Sequence, residues 1–221
     1  MTSIAARGAE TAGDVEILYL DDRCIVAEKP AGLLSVPGRG EDRGDCMASR
    51  VRARCGDALV VHRLDMATSG LIVLARGLDA QRRLSMAFAQ REVVKTYVAI
   101  VTGTLAADHG TIDLPLIADW PNRPKQIVDE RNGKPALTRY RVLARDASTG
   151  TTRVELSPVT GRSHQLRVHL QALGHPIVGD TLYATPAEQA GADRLLLHAA
   201  GLRFPHPAHG APVAFESAVP F

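Results

Sequence analysis

The chain has 221 residues, with 26 Lys or Arg against 24 Asp or Glu and a formal net charge of +2. This small charge excludes a polybasic, histone-like binder, but it permits a locally basic face that binds nucleic acid. Hydrophobic content is 45%, and because no window approaches the roughly 18 apolar residues of a membrane span and no signal peptide is visible, we expect a soluble cytoplasmic protein.

Short apolar runs bounded by turn residues predict strands in the first half of the chain. Residues 1–13 precede them and are expected to form a mobile arm, followed by a single domain over residues 14–221. The spacing of Ala80, Leu84 and Phe88 predicts an amphipathic helix. The predicted strands are 15–20, 24–28, 58–61, 71–75 and 95–101, and the predicted helices are 46–54 and 78–91.

The second half of the chain continues the same pattern. A helix is predicted over residues 163–173, with Ser163 as N-cap, Gly174 as stop signal and an inward stripe of Leu166, His169, Leu170 and Leu173. Strands outnumber helices, and many are joined too closely for crossover helices. We therefore expect an α+β fold, a mixed and largely antiparallel sheet with helices packed on it. The later predicted strands are 110–114, 137–144, 152–157, 194–204 and 213–217.

Residues 62–70, His-Arg-Leu-Asp-Met-Ala-Thr-Ser-Gly, form a charged turn between two predicted buried strands. Such strands would hold the turn rigid, so Asp65 is the main candidate for a reacting group. A lone loop aspartate more often only hydrogen-bonds its own turn. Here Thr68 and Ser69 can donate to the carboxylate and keep it ionised, and Gly70 permits close backbone approach.

Arg167, Arg162 and Tyr97 are further candidates. Arg167 lies one turn into its helix, where it is either solvated or pairs with Asp65 and keeps it charged when substrate excludes water. Arg162 precedes the helix and could contact phosphate. Tyr97 is either a core or rim residue of its strand, or a phenol that stacks on a flat base and takes or shuttles a proton.

The histidines and cysteines lack the spacing of a metal site, with no H-E-x-x-H and no C-x-x-C. We therefore expect reduced thiols and no metal, and a packed neutral imidazole at His169. Residues 119–126 form a stiff polar segment with Trp120, Arg123 and Lys125. It is either a rigid surface loop or a contact to nucleic acid, since it offers cations, amides and an aromatic ring.

Five ordered motifs resemble those of the RluA-type RNA pseudouridine synthases and cover nearly the whole chain after the arm. Residues 62–70 match the family signature H-R-L-D-x-x-T-S-G, which holds its catalytic aspartate. The short arm leaves no room for the family's usual S4 RNA-binding domain. The resemblance is therefore to short members that act on 23S rRNA and the tRNA anticodon stem-loop. The other motifs lie at 29–33, 95–97, 161–180 and 195–199.

The resemblance implies isomerisation of uridine to pseudouridine without a cofactor, on a base that leaves its stack. Asp65 would be the nucleophile, at the sugar C1′ or through a glycal route, Arg167 would pair with it, and Tyr97 would stack on the base and help to remove the C5 proton. The dry base pocket would be walled by Leu64, Leu195, Leu196 and Leu197. RNA would be bound by Lys29, Arg63, Arg162, Trp120, Arg123 and Lys125, with Arg63 filling the space that the base vacates.

Three alternatives remain open at this point: a related synthase with another RNA target, a non-catalytic RNA-binding module, and a metal-dependent hydrolase. The presence of Asp65 with all its neighbours disfavours the binding module, and the absent metal-ligand spacing disfavours the hydrolase. Target choice rests on loop shape, so the sequence separates the related synthases least well. Nothing in the sequence requires a partner subunit or a membrane, so we expect a monomer.

Overall fold

A computed structural model of the protein describes residues 15–38 and 44–221, so the predicted arm, 1–13, lies outside the described residues. The strands of the described part are β1 (Glu16–Leu20), β2 (Cys24–Lys29), β3 (Leu59–Val60), β4 (Ser69–Ala75), β5 (Val94–Thr102), β6 (His109–Asp113), β7 (Leu116–Ala118), β8 (Gln126–Val128), β9 (Leu137–Asp146), β10 (Thr151–Pro158), β11 (Leu197–Pro205) and β12 (Pro212–Glu216). Its helices are α1 (Met47–Cys55), α2 (Leu78–Ala89), α3 (Gln165–Ala172) and α4 (Pro186–Gln189).

Ten of these described strands form one sheet in the order β1-β2-β4-β11-β5-β10-β9-β6, with β3 paired to β4 and β12 to β11, while β7 and β8 form a separate hairpin. Within the described ranges, the pairing of β4 with β11 is parallel and the other pairings are antiparallel. At this contact Gly70 has a φ of 112°, and a Cβ there would lie 2.6 Å from the Ala199 nitrogen. Glycine therefore permits the close approach that was predicted, and the predicted α+β fold is confirmed.

Strands β2 and β4 are buried on both faces of the sheet. Ile25 and Ile72 pack in a cluster with α1, whereas Val26 and Val73 pack in a second cluster with α2. Burial on both faces explains why β4 reads as an unbroken apolar run rather than an alternating one. The strand that follows Asp65 is thus fixed in the core. None of the helices in this described part is long and apolar enough to cross a membrane.

Most predicted elements are confirmed, and the differences occur where local sequence patterns are weakest. β3 has only two residues, both half-buried, so the predicted buried strand 58–61 is wrong in length and burial. β11 begins at Leu197 rather than at residue 194. The hairpin strands β7 and β8 were not predicted, because three residues are too few to show a period.

Helix α3 begins two residues later than predicted. His164, not Ser163, is the N-cap, and its backbone is left-handed at φ 54° and ψ 16°, which no helical residue adopts. Gly174 ends the helix with a φ of 80°, as predicted. Leu173 lies beyond the last helical residue and is 39% exposed, so its predicted place in the inward stripe is wrong.

Candidate active site

A cavity of about 520 Å³ lies between the loop 61–68, which carries Asp65, and the N-terminal end of α3. Its polar wall includes Asp65, Tyr97, His164 and Arg167. The sheet therefore brings together the three predicted catalytic residues, which are far apart in sequence. The volume lies within the range of small-molecule sites and is sufficient for one nucleotide base. The apolar part of the wall includes Leu64, Phe88, Val93, Leu166 and Leu197.

The loop 61–68 is anchored on both sides of Asp65. The Ser35 hydroxyl donates to the Leu64 carbonyl at 2.7 Å and accepts from the Leu64 N–H at 3.0 Å. At the start of the loop, His62 Nε2 accepts the Val73 N–H at 3.0 Å. These bonds hold the backbone near Asp65 to neighbouring loops and to β4. Sequence reasoning missed Ser35, because a serine in a Pro/Gly-rich loop carries no sign of this distant partner.

Lys29 is a second anchor of the same loop, and its predicted contact with RNA is wrong. The side chain is fully buried at the end of β2. Its ammonium donates to three backbone carbonyls, those of Pro30 at 2.9 Å, Leu33 at 2.7 Å and Met66 at 3.1 Å. Burial lowers the pKa of Lys29 to about 8. An ammonium whose three protons are already bound cannot also contact phosphate.

The Asp65 carboxylate faces the cavity with its side chain 28% exposed. Its nearest cationic group is Arg167 Nη1, at 3.7 Å from Oδ2, and His164 Nε2 lies 4.0 Å from Oδ1. No group in the described part of the chain is within hydrogen-bonding geometry of the carboxylate. Its oxygens therefore face a guanidinium and an imidazole and are available to a substrate.

The predicted hydroxyl donors to Asp65 are not observed. The Ser69 hydroxyl contacts His198 Nδ1 at 2.8 Å and also accepts from Arg194, away from the carboxylate. Thr68 donates its backbone N–H to the Asp65 carbonyl oxygen at 3.1 Å and lines the cavity. The prediction failed for Ser69 because this residue already belongs to β4, and it bonds across the sheet rather than into the turn.

Arg167 is buried in α3 and makes its strongest contact with Asp180, which sequence reasoning did not single out. Nε and Nη2 each donate to the Asp180 carboxylate at 2.7 Å. Asp180 is fully buried and also accepts the N–H groups of Leu182 at 2.9 Å and Tyr183 at 3.1 Å. Although burial opposes the charge of Arg167, the bonds to Asp180 and the charges of Asp180 and Asp65 raise its pKa. Arg167 therefore stays charged beside Asp65.

His164 and Tyr183 complete the polar wall behind Asp65. His164 Nδ1 lies 2.6 Å from the Tyr183 hydroxyl oxygen. Burial lowers the pKa of His164, although the charge of Asp65 acts in the opposite direction, so the imidazole is neutral near pH 7. The same hydroxyl accepts the backbone N–H of Gln126 at 2.8 Å. Sequence reasoning missed the place of His164, because it weighed this histidine only as a metal ligand.

Tyr97 lines the cavity from β5 and is half-buried. Burial and the charge of Asp65 raise its pKa, so the phenol stays protonated at neutral pH. This finding favours the stacking role predicted for Tyr97 over that of a base. Of the predicted pocket leucines, Leu64 and Leu197 line the cavity. Leu195 is buried in the core with Leu196 packed against it, and neither lines the cavity.

The rim of the cavity is basic. Arg63 and Arg162, for which RNA contacts were predicted, line it and are exposed, and Arg63 donates to the Ser163 hydroxyl at 3.3 Å. Sequence reasoning missed Arg91 and Lys95, which also line the cavity. Burial lowers the pKa of Lys95. Arg91 lies two residues beyond the end of α2, and Lys95 begins the recognised motif 95–97 on β5, but within that motif only Tyr97 was given a role.

The predicted polar segment 119–126 forms the tip of the β7–β8 hairpin. Trp120 is 66% exposed, and the Arg123 guanidinium lies 3.1 Å from the centre of its indole ring. Lys125 is half-buried in the same tip. This arrangement gathers an exposed indole ring and two cationic side chains at the tip of the hairpin.

One group of three side chains in the described ranges has the composition of a metal site. Ligand atoms of Asp21, Cys24 and His206 lie within 4.8 Å of one another, outside the cavity. Asp21 Oδ2 accepts from Tyr19 at 2.8 Å and lies 2.7 Å from His206 Nε2. Burial and the charge of Asp21 raise the pKa of Cys24 to about 12. A protonated thiol beside an already bonded carboxylate and imidazole favours a structural role. His169, the other histidine singled out, is buried and bonded to Thr138 and Leu114, as predicted.

Comparison with known proteins agrees with this geometry. Residues 23–172 match the family model of RNA pseudouridylate synthases. Over 205 residues the chain is 54% identical to the dual-specificity RNA pseudouridine synthase RluA of Yersinia pestis, covering 93% of this chain and 99% of that protein. It is 53% identical to the protein of the same name from Escherichia coli, covering 93% of each.

Two solved human structures share the fold. The chain superimposes on RNA pseudouridylate synthase domain containing 1 with a TM-score of 0.78 and 28% identity, covering 96% of this chain and 86% of that one. For RNA pseudouridylate synthase domain containing 4, the TM-score is 0.74 at 28% identity, with coverage of 93% and 88%.

Proposed function

This chain belongs to the RNA pseudouridylate synthase family, and from that premise we propose that Asp65 is the nucleophile of a uridine-to-pseudouridine isomerase. The single observation that carries the assignment is the position of the carboxylate. It faces a cavity of about 520 Å³ with a buried guanidinium at 3.7 Å and free oxygen atoms. A nucleophile needs this combination of fixed orientation and available lone pairs.

In the proposed reaction, a uridine leaves its stack and enters the cavity. The ionised Asp65 attacks C1′ of the ribose, or acts through a glycal route, and the N1–C1′ bond breaks. The detached uracil turns, and C5 forms the new bond to C1′ as the Asp65–C1′ bond breaks or, on the glycal route, as the sugar regains the proton that Asp65 took. The proton lost from C5 is balanced by one gained at N1, so the reaction needs neither an oxidant nor a group donor.

The other cavity residues have distinct proposed roles. Arg167 holds Asp65 ionised when the entering base displaces water, because its own charge is fixed by Asp180. Tyr97 provides a face for the base, and its protonated phenol can donate to the uracil or the sugar. Leu64 and Leu197 keep the detached base in a dry space, where water is less able to trap the sugar.

The basic rim and the hairpin tip are the proposed RNA-binding surface. Arg63 and Arg162 stand at the mouth of the cavity, and Trp120 and Arg123 form the exposed tip of the hairpin. We assign Arg63 to the space left by the flipped base, because it neighbours Asp65 but lies on the exposed side. Bases stack well on such aromatic and guanidinium faces.

The proposed substrates are 23S rRNA and the tRNA anticodon stem-loop. The motifs imply this pair, and the dual specificity in the names of the two bacterial relatives supports action on more than one RNA. We further propose that the enzyme works in the cytoplasm, where both RNAs are found, as a monomer whose catalytic domain spans 14–221.

The deciding experiment incubates the full chain with 23S rRNA and tRNA transcripts, without added metal, and maps pseudouridine at single-nucleotide resolution. We expect product in both RNAs, and none with Asp65→Asn although that variant binds RNA. Product from other RNAs alone would reassign the target. Released uracil or cleaved RNA in place of pseudouridine would indicate a hydrolase and contradict the proposed function.

A further inference from the structure

Two hydrogen bonds lead from the β7–β8 hairpin to His164, and the far side of this imidazole lies 4.0 Å from the Asp65 carboxylate. The Gln126 backbone N–H donates to the Tyr183 hydroxyl at 2.8 Å, and this hydroxyl lies 2.6 Å from His164 Nδ1. His164 Nε2 in turn lies 4.0 Å from Asp65 Oδ1. The hairpin carries the proposed RNA-binding residues, so the contacts join the surface that binds RNA to the group that reacts.

The direction of each proton in these contacts follows from the donors available. A backbone N–H can only donate, so the Tyr183 oxygen is the acceptor from Gln126. The Tyr183 proton is then free to point at His164 Nδ1, and we infer that this nitrogen accepts it. A neutral imidazole that accepts at Nδ1 carries its proton on Nε2. His164 therefore presents an N–H group, rather than a lone pair, towards Asp65.

Backbone strain at His164 supports a role beyond packing. Its φ of 54° is left-handed, and it is one of two non-glycine residues with positive φ in the described part of the chain. The side chain does not cap α3, although the residue occupies the N-cap position. Such conformations persist when surrounding contacts stabilise them, and they occur preferentially at functional sites. Here the conformation turns the imidazole into the cavity.

Several charges act on the imidazole, and they come from every element around it. Asp65 and Asp180 favour a protonated imidazolium, whereas Arg167 and Arg63 disfavour it, and burial disfavours it most. The Tyr183 hydroxyl also disfavours the imidazolium, because it donates to the nitrogen that would have to take the proton. Its ring also lies 5.0 Å from the Arg167 guanidinium carbon, which fixes the phenol in place.

We propose that Tyr183 and His164 are positioning residues that keep a neutral N–H donor against Asp65 and make its reactivity depend on the placement of the hairpin. An imidazolium at this point would pair with the carboxylate and weaken it as a nucleophile. When RNA fixes the hairpin, the Gln126 N–H holds Tyr183 in the orientation that keeps His164 neutral. The proposal rests on the proposed function, because it assigns the pair to the same reaction.

The first test is Tyr183→Phe, which keeps the ring beside Arg167 and removes only the hydroxyl. We expect kcat to fall about ten-fold with KM for RNA unchanged, the size of one lost hydrogen bond in the transition state. Without the donor at Nδ1, His164 takes a proton more readily. The acid limb of the kcat profile should therefore move to higher pH by about one unit. Tyr140→Phe, which removes a phenol on β9 outside the cavity, is the matched control.

The second test is His164→Gln, which keeps an N–H donor of similar reach that cannot become charged. We expect kcat to fall by only about three-fold and the acid limb assigned to His164 to disappear. Adding Tyr183→Phe in this background should change neither kcat nor the pH profile further, because the two residues act as one unit. Additive losses in the double variant would contradict the proposal.

A spectroscopic readout does not depend on turnover. In protein labelled with ¹⁵N-histidine, the ring nitrogens of His164, assigned by their loss in His164→Gln, should report Nε2–H at neutral pH and a raised pKa in Tyr183→Phe. An Nδ1–H tautomer in the wild-type protein, or an unshifted acid limb in Tyr183→Phe, would overturn the proposal. If the wild-type protein makes no pseudouridine, the proposed function fails instead, whatever the tautomer.

Discussion

The loops 61–68 and 176–183 each present one aspartate to the guanidinium of Arg167, and they hold the two carboxylates in opposite ways. Asp180 is fully buried and accepts four hydrogen bonds, two from Arg167 and two from the backbone N–H groups of Leu182 and Tyr183. Asp65 is 28% exposed and lies 3.7 Å from Nη1 of the same arginine. One carboxylate is saturated by its partners, and the other lies beside the same arginine with its oxygens available.

This difference shows how one arginine both stabilises the fold and orients a reacting carboxylate. Asp180 neutralises Arg167 and fixes its plane, so Nη1 faces Asp65 without a further loss of side-chain freedom. A group that reacts must be oriented by neighbours that are themselves held in place. The saturated aspartate therefore stabilises the fold and prepares the arginine, and the unsaturated one is left for chemistry.

The largest expected effect is on turnover in Asp65→Asn. The variant should lose activity by about 10⁴-fold or more, as when a nucleophile is removed, because the amide is neutral and far less nucleophilic. Its free energy of unfolding should change by less than about 1 kcal/mol, since the carboxylate makes only partly exposed ion contacts. Urea denaturation and single-turnover assays measure the two quantities. A strong loss of stability would mean that Asp65, like Asp180, is structural.

Asp180→Asn should mainly lower stability, whereas Asp65→Asn should mainly lower turnover. It leaves the buried Arg167 charge without its paired carboxylate, so we expect a loss of about 3–5 kcal/mol in the free energy of unfolding. Freed from Asp180, the arginine also becomes available to bind Asp65 directly and reduce its reactivity. Urea denaturation of Asp180→Asn and Asp65→Asn under the same conditions compares their free energies of unfolding. Equal stability of the two variants would remove the distinction between the loops.

The pH dependence of stability separates the two loops further. Burial and the charge of Lys95 lower the pKa of His62, the anchor of the loop 61–68, to about 3. Near pH 6.5 the imidazole of His62 takes up a proton in the unfolded chain but not in the folded protein. The contribution of His62 to the free energy of unfolding is therefore complete above about pH 6.5 and is lost as pH falls. We expect a loss of about 1 kcal/mol per pH unit below that value from this group.

The matched variant is His62→Gln, whose side-chain oxygen can accept the same Val73 N–H without titrating. Denaturation of both proteins at pH 7.5 and pH 5.5 should show the shallower pH dependence in the variant. In the loop 176–183, the anchoring carboxylate of Asp180 accepts from Arg167 and from the backbone N–H groups of Leu182 and Tyr183, and these groups do not titrate between pH 5.5 and pH 7.5. Parallel pH profiles for the two proteins would show that His62 is not the acid-sensitive anchor.

The sequence predicted the reacting loop better than the supporting one. The signature around Asp65 is local, and helical spacing placed Arg167, so both could be assigned from short stretches of chain. The partners Asp180 and Ser35 are distant in sequence, and sheet register and loop packing decide which of them meet. Lys29 was misassigned because lysine is seldom fully buried, and here three carbonyls from two loops permit it.

The smallest expected effect is that of Arg63→Ala, which changes a side chain on the solvent side of the loop 61–68. Arg63 is exposed, lines the cavity and makes one 3.3 Å contact with Ser163, so the fold does not depend on it. If it fills the space of the flipped base, Arg63→Ala should lower both turnover and RNA affinity by about three-fold, the size of one exposed charged contact. Arg82→Ala, an exposed arginine of α2 outside the cavity, loses a similar charge and should leave both unchanged. Because the control removes the same charge, a matching loss in the two variants would indicate general attraction for RNA. A loss confined to Arg63→Ala, greater for a duplex target than for an unpaired one, would place this side chain in the vacated stack.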